Sequence, residues 1–240
     1  MEFSPEGYRR VIAAALRAGY AFARLDEGPA ADAPTLFLRH DVDMSPRMAV
    51  VLGGIEAAAG ARASYFFQLD ADTYNGLAAS TRDAIRALRA QGHCVGLHID
   101  QTTHGAGEGD IAATLDWFGR CVTPIDRVVS FHRPSPDVLG RRFDSFVSGY
   151  QPGLFDPSGY ASDSRRDPGF WPRLEALFAE RRTPIQLLTH PEWWCGVADA
   201  DAVWSELEAR RASELSNYMA RNFPSLFGRL RRDDEARFRV

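Results

Sequence analysis

Lysine is absent from the 240-residue chain, whose 28 basic residues are all arginine. Set against 32 acidic residues they leave a formal charge of −4, and they occur as scattered pairs such as Arg9-Arg10, Arg141-Arg142 and Arg231-Arg232. Such pairs read as solvated faces, so no electrostatic footprint for nucleic acid is present. The missing lysine, beside abundant alanine, reads as a coding bias of a GC-rich genome and not as a functional signal. Cysteine is scarce: Cys94, Cys121 and Cys195 are an odd number without CxxC spacing. That fits reduced, buried thiols and argues against disulfides or a thiolate zinc site. No apolar run approaches membrane-spanning length, and Met1-Glu2-Phe3-Ser4-Pro5 carries no basic segment followed by an apolar one. The expectation is a soluble, cytoplasmic protein with no membrane insertion. Internal repeats and low-complexity segments are also lacking. With 45% hydrophobic residues the chain can bury a sizeable core, and one domain over 1–240 is expected.

The most informative stretch is Leu38-Arg39-His40-Asp41-Val42-Asp43, which follows the apolar run Pro34-Thr35-Leu36-Phe37. Thr35 to His40 reads as a buried strand that carries polar groups out into a loop. Side chains alternate along an extended chain, so Asp41 and Asp43 project to the same side. Two neighbouring carboxylates raise each other's pKa, and a cation beside them removes that difficulty. Helix capping is the competing role for the aspartates, but Ser45-Pro46 already supplies an N-cap with proline at the first helical position.

Further strands are expected over Ala63–Phe67, Cys94–Leu97, Arg127–Phe131 and Pro184–Thr189, with helices over Pro46–Ala59, Ser80–Gln91, Asp110–Cys121 and Asp199–Asn222. Strands recurring about every thirty residues with helices between them are the signature of parallel βαβ units, whose functional residues gather at strand C-termini. Five of the six histidines lie at or just after such ends: His40, His98, His104, His132 and His190. Together they point to a metal site. Gly149 to Pro172 is turn-rich with interleaved aromatics and reads equally as a substrate loop or a packed surface loop; Trp193 and Trp194 carry the same ambiguity.

With these residues in view, the chain resembles the polysaccharide deacetylase family, the NodB-homology domain of carbohydrate esterase family four, in a His-Asp-Val-Asp variant. Five blocks stand in the family's order from Leu36 to Trp194. Arg39-His40-Asp41-Val42-Asp43 resembles the first block, Gly92 to His98 the second and His132-Arg133-Pro134 the third. Tyr160-Ala161-Ser162-Asp163 with Trp171 resembles the fourth, and Leu187-Leu188-Thr189-His190-Pro191 the fifth. The resemblance implies an α/β fold, an irregular (β/α) barrel, binding one divalent transition metal through one aspartate and two histidines, with Zn2+ expected. It implies Asp41 as base, Asp43 as ligand and His190 as acid, although Asp-Val-Asp spacing in place of an adjacent pair leaves the two aspartate roles exchangeable. Arg133 would orient the base and Asp163 would orient His190.

The second block departs from the family's His-Ser/Thr-x-x-His, since Thr102 stands four residues beyond His98. His98 and His132 are therefore expected as ligands, with His104 and then Asp100 as alternatives for the third. The implied reaction is metal-assisted hydrolysis of an N-acetyl or related acyl group on a sugar. An amide is a poor electrophile and needs a polarised carbonyl, an activated water and a proton for the leaving amine. The expected partner is a small-molecule or oligosaccharide substrate, an intermediate of cell-surface polysaccharide synthesis. Hydrolysis of a non-sugar amide, or a catalytically silent carbohydrate-binding role, are the alternatives. Oligomeric state is not legible at this level.

Overall fold

A computed structural model of the chain describes residues 2–104, 107–194, 196 and 199–231. They fall in two compact units, Met1–Gly196 and Val197–Val240, where the sequence reading expects one domain. In the first unit eight strands alternate with helices: α1 (Pro5–Arg17), β1 (Ala21–Ala23), β2 (Thr35–Val42), α2 (Pro46–Ala58), β3 (Ser64–Phe67) and α3 (Ala79–Ala90). They continue with β4 (Cys94–Asp100), α4 (Gln101–His104), α5 (Glu108–Cys121), β5 (Val128–His132), β6 (Val147–Ser148), β7 (Tyr160–Ser162), α6 (Phe170–Ala179) and β8 (Ile185–Thr189). Local chemistry sets the helix starts. Ser4 accepts the Gly7 amide at 3.0 Å, Ser45 accepts the Met48 amide at 3.3 Å, and proline follows each serine. Ser45 thus caps α2, and neither aspartate of the preceding segment is taken up by that role.

The strands form one sheet in the order β6-β5-β4-β3-β2-β8-β7, with β1 added to β2, and every pairing is parallel. In a flat sheet β2 and β5, three steps apart, would be separated by about 14 Å. Yet the Ser130 hydroxyl of β5 donates to Asp41 Oδ1 of β2 at 3.0 Å, a reach two short side chains achieve only if the sheet curls on itself. The result is an irregular (β/α) barrel, left open between β6 and β7.

The period of two along each strand divides its side chains between two layers. On β2, Leu36, Leu38 and Val42 join the large core beneath the helices, while Phe37 joins an inner cluster with Leu25, Phe66, Cys94, Val128 and Leu154. Residues 37, 39 and 41 therefore face the barrel interior, and by the same alternation so do 94, 96 and 98 on β4 and 128, 130 and 132 on β5. Gly96 is needed there, because a Cβ would lie 2.0 Å from the Val128 carbonyl oxygen.

Two strands outrun their apolar patterns. β2 continues through Asp41 and Val42 because its ladder with β3 pairs Arg39 with Ser64 through to Val42 with Phe67. β4 reaches Asp100 because it pairs with β5 as far as His132. Within Gly149 to Pro172 the chain forms β7, paired to β8, and enters α6. Cys94 is buried but Cys121 is exposed on the last turn of α5, contrary to the expectation of buried thiols, and Cys195 lies outside the described residues. The second unit holds α7 (Ala200–Asn222), capped by Asp199, and the single turn α8 (Pro224–Phe227). Among the described residues no helix is long and apolar enough to cross a membrane.

Candidate metal centre

The C-terminal mouth of the curled sheet collects the polar groups that the strands carry inward. Asp41 ends the interior face of β2, and Asp43 stands in the bend just beyond it. His98 comes from β4, His132 from the last position of β5, and His190 directly follows β8. His98 Nε2 lies 3.6 Å from Asp41 Oδ2 and 3.5 Å from Asp43 Oδ1, and His190 Nε2 lies 3.7 Å from Asp43 Oδ2. Asp43, His98 and His132 each offer one ligand atom, and the three atoms lie within 4.8 Å of one another.

This donor set fits a divalent transition metal. One carboxylate oxygen and two imidazole nitrogens suit zinc and its neighbours and leave a position for substrate. His98 is buried, and burial outweighs Asp41 and Asp43 to push its pKa down, so the ring stays neutral as a ligand must. Among the described residues its Nδ1 has no hydrogen-bond partner, while Nε2 faces two carboxylates. A cation among these groups resolves the crowding of negative charge. Asp100, one alternative for the third ligand, instead accepts the Thr102 amide and hydroxyl at 2.8 and 2.6 Å and lies 3.4 Å from His132 Nδ1. Those hydrogen bonds hold its pKa down at about 2 and place it to orient the His132 ring. The side chain of His104, the other alternative, lies outside the described residues.

Asp41 is held differently from the expectation. Its partner is Arg39, two residues earlier on the same strand face: Arg39 Nε donates to Oδ1 at 3.0 Å and Nη2 to Oδ2 at 2.7 Å. Arg39 is itself completely buried, stacked on the Tyr150 ring at 4.4 Å and reached by the Gln186 amide oxygen at 3.3 Å. Burial opposes charge on Asp41, but the guanidinium, assisted by His98, overcomes it and holds the carboxyl well below the usual carboxylate range. Arg133, which the sequence reading placed here, is exposed beside His132 with φ 53°, and the bidentate pair is not its own. The reason is the alternation: Arg39 and Asp41 emerge on one side of one strand, and Arg39 satisfies both oxygens first.

On the other wall Asp163 takes three donors. Its carboxylate lies 2.7 Å from His190 Nδ1, accepts the His190 amide at 3.0 Å and accepts Trp194 Nε1 at 2.8 Å. Burial lowers the His190 pKa, but the hydrogen bond and charge of Asp163, then Asp41 and Asp43, carry it up to about 9. With Nδ1 engaged by Asp163, Nε2 is the nitrogen turned to the site. Trp194 is thereby a buried anchor, while Trp193 and Trp171 are part-buried against the core. His40, counted at sequence level among the clustered histidines, points the opposite way. Its Nδ1 lies 2.6 Å from the Thr189 hydroxyl and its Nε2 2.6 Å from Glu56, beneath α2.

Several supporting residues carried no sequence signal. The Asp43 segment is braced by Gln68 Nε2, which donates to Asp43 Oδ1 at 2.6 Å, and by the Tyr74 hydroxyl, which donates to the Val42 carbonyl at 2.7 Å. Glu192 accepts the Met44 amide, and burial together with Asp43 raises its pKa to about 7. Ser130 and Tyr150 reach Arg39 only through the curl of the sheet. Arg39 alone was findable, because period two places it on the face of Asp41.

No family model matches the chain, and no curated protein matches it. Among solved structures, it is similar at 15% identity and a TM-score of 0.43 to a peptidoglycan deacetylase of Bdellovibrio bacteriovorus, over 80% of this chain and 56% of that one. The chain thus spans little more than half the length of that protein.

Proposed function

We propose that the chain is a metal-dependent hydrolase of the polysaccharide deacetylase type, removing an N-acetyl or related acyl group from a sugar. We place it in the cytoplasm, acting on an intermediate of cell-surface polysaccharide synthesis. The observation that carries the reading is the convergence at one barrel mouth of a three-donor metal set, an arginine-held carboxylate and a carboxylate-held imidazole. A divalent cation held by Asp43, His98 and His132 would polarise the acyl carbonyl, the one contribution these side chains cannot supply themselves. Asp41, kept ionised and fixed in direction by Arg39 and Ser130, accepts a proton from the attacking water. His190, protonated at neutral pH and held through Nδ1 by Asp163, delivers a proton from Nε2 to the departing amine as the carbon–nitrogen bond breaks. The products are a carboxylic acid and a free amine.

The test combines elemental analysis with acid release from a panel of acylated sugars and non-sugar amides. The expected result is about one transition metal per chain and acetate release lost on chelation. Asp43→Ala removes the metal, whereas His190→Ala keeps it and loses turnover by about 10²–10⁴. Release from non-sugar amides alone would replace the sugar in this reading, and metal-free protein that binds glycans without turnover would overturn it.

A further inference from the structure

Helix α7 has two sides of opposite character. Val203, Asn217 and Ala220 are buried, whereas Trp204, Leu215 and Tyr218 are 66%, 63% and 54% exposed. The exposed set belongs to a stripe, Trp204, Glu208, Arg211, Leu215 and Tyr218, whose members follow one another at spacings of four, three, four and three. Such a 3.5-residue period is that of a seam between two helices. Phe223 and Leu226 extend the exposed apolar surface beyond the helix end. A tryptophan and a leucine two-thirds exposed along one helix face mark an interaction surface.

The charges say what covers it. Along α7 the acids Asp201, Glu206 and Glu208 all precede the bases Arg210, Arg211 and Arg221, among which Glu214 is the one acid. Two such helices laid antiparallel bring acid against base along their length. Laid parallel, they would bring Glu208 against Glu208 and Arg211 against Arg211. We propose that α7 pairs two copies of this chain across a two-fold axis, with Trp204 packed on the partner's Leu215 and Glu208 facing the partner's Arg211. The same register sets Tyr218 opposite the partner's Asp201, whose carboxylate can accept from the phenol. Each contact occurs twice, because a two-fold interface is self-complementary. Within one chain Arg211 lies 3.0 Å from Glu214, but both side chains are about half exposed, and an exposed pair of that kind is a weak competitor. The seam lies wholly in the second unit and is independent of the catalytic reading.

Sedimentation equilibrium of the full chain tests the pairing, with circular dichroism as the check on folding. The expected species has twice the 26.6 kDa chain mass. Glu208→Arg or Arg211→Glu alone raises the dimer Kd about tenfold, since each acts at two places, and the double variant returns it to within about threefold of the original. Trp204→Ser gives folded monomer. The proposal is overturned by a folded monomer at all concentrations, including one that instead sediments with anionic phospholipid vesicles. It is equally overturned by a dimer indifferent to Trp204→Ser, or by single charge reversals whose losses add in the double variant.

Discussion

Asp41 sits at 3% exposure with a charge that, among the described residues, only Arg39 neutralises at bonding distance. Truncating Arg39 leaves a buried carboxylate without its counter-ion, and breaking a buried pair in this way costs about 3–5 kcal/mol. Arg39→Ala is therefore expected to lose that much stability in urea denaturation, and adding Asp41→Asn should recover part of it. Arg133→Ala, by contrast, leaves the Asp41 pair intact and is expected to unfold at the wild-type urea concentration. His190 gives a prediction in pH. Its pKa is raised because the imidazolium gains from Asp163, so the protonated form, which the proposed role as acid requires, persists until pH passes about 9. Asp163→Asn removes that support, and the alkaline limb of the pH–rate profile is expected to move to lower pH. An unmoved limb would assign it to another group.

At the scale of elements, two glycines make opposite predictions. A Cβ at Gly96 would sit 2.0 Å from the Val128 carbonyl oxygen, between two strands that both carry site histidines, so Gly96→Ala should separate β4 from β5 and destabilise the protein. At Gly119, inside α5, a Cβ meets nothing within 4 Å, and Gly119→Ala should stabilise by about 0.5–1 kcal/mol. Both are read from denaturation midpoints. The same elements show what sequence can and cannot convey. Strand positions followed from apolar runs, and alternation placed Asp41 and Asp43 on one side. Strand ends did not follow, since Asp41 in β2 and His98 and Asp100 in β4 interrupt the apolar runs there, and the ladder to neighbouring strands carries both strands past them. β6 and β7 are two and three residues long, too short for any period to register. The partner of Asp41 was legible by the same alternation, since Arg39 stands two residues before it on one strand face, but the resemblance assigned the pairing to Arg133 beyond β5.

For the whole molecule, a metal that binds only the folded state adds stability by mass action. Metal at a thousandfold excess over its Kd contributes about 4 kcal/mol, or roughly 10 °C in the melting temperature of a chain this long. Adding a chelator is expected to lower Tm by that order in the wild type and not at all in Asp43→Ala, as scanning calorimetry would register. The placement of Arg39 and Asp41 two residues apart on one strand has a consequence for the molecule as an object of engineering. A carboxylate steadied from a distant loop is hostage to that loop, whereas here the buried carboxylate and its counter-ion are encoded in a single three-residue word, Arg39-His40-Asp41. The connection after β5, with Arg133 in it, can be replaced or lengthened while that word stays intact. The rim beside His132 is thus open to grafting of new segments without rebuilding the Arg39–Asp41 pair.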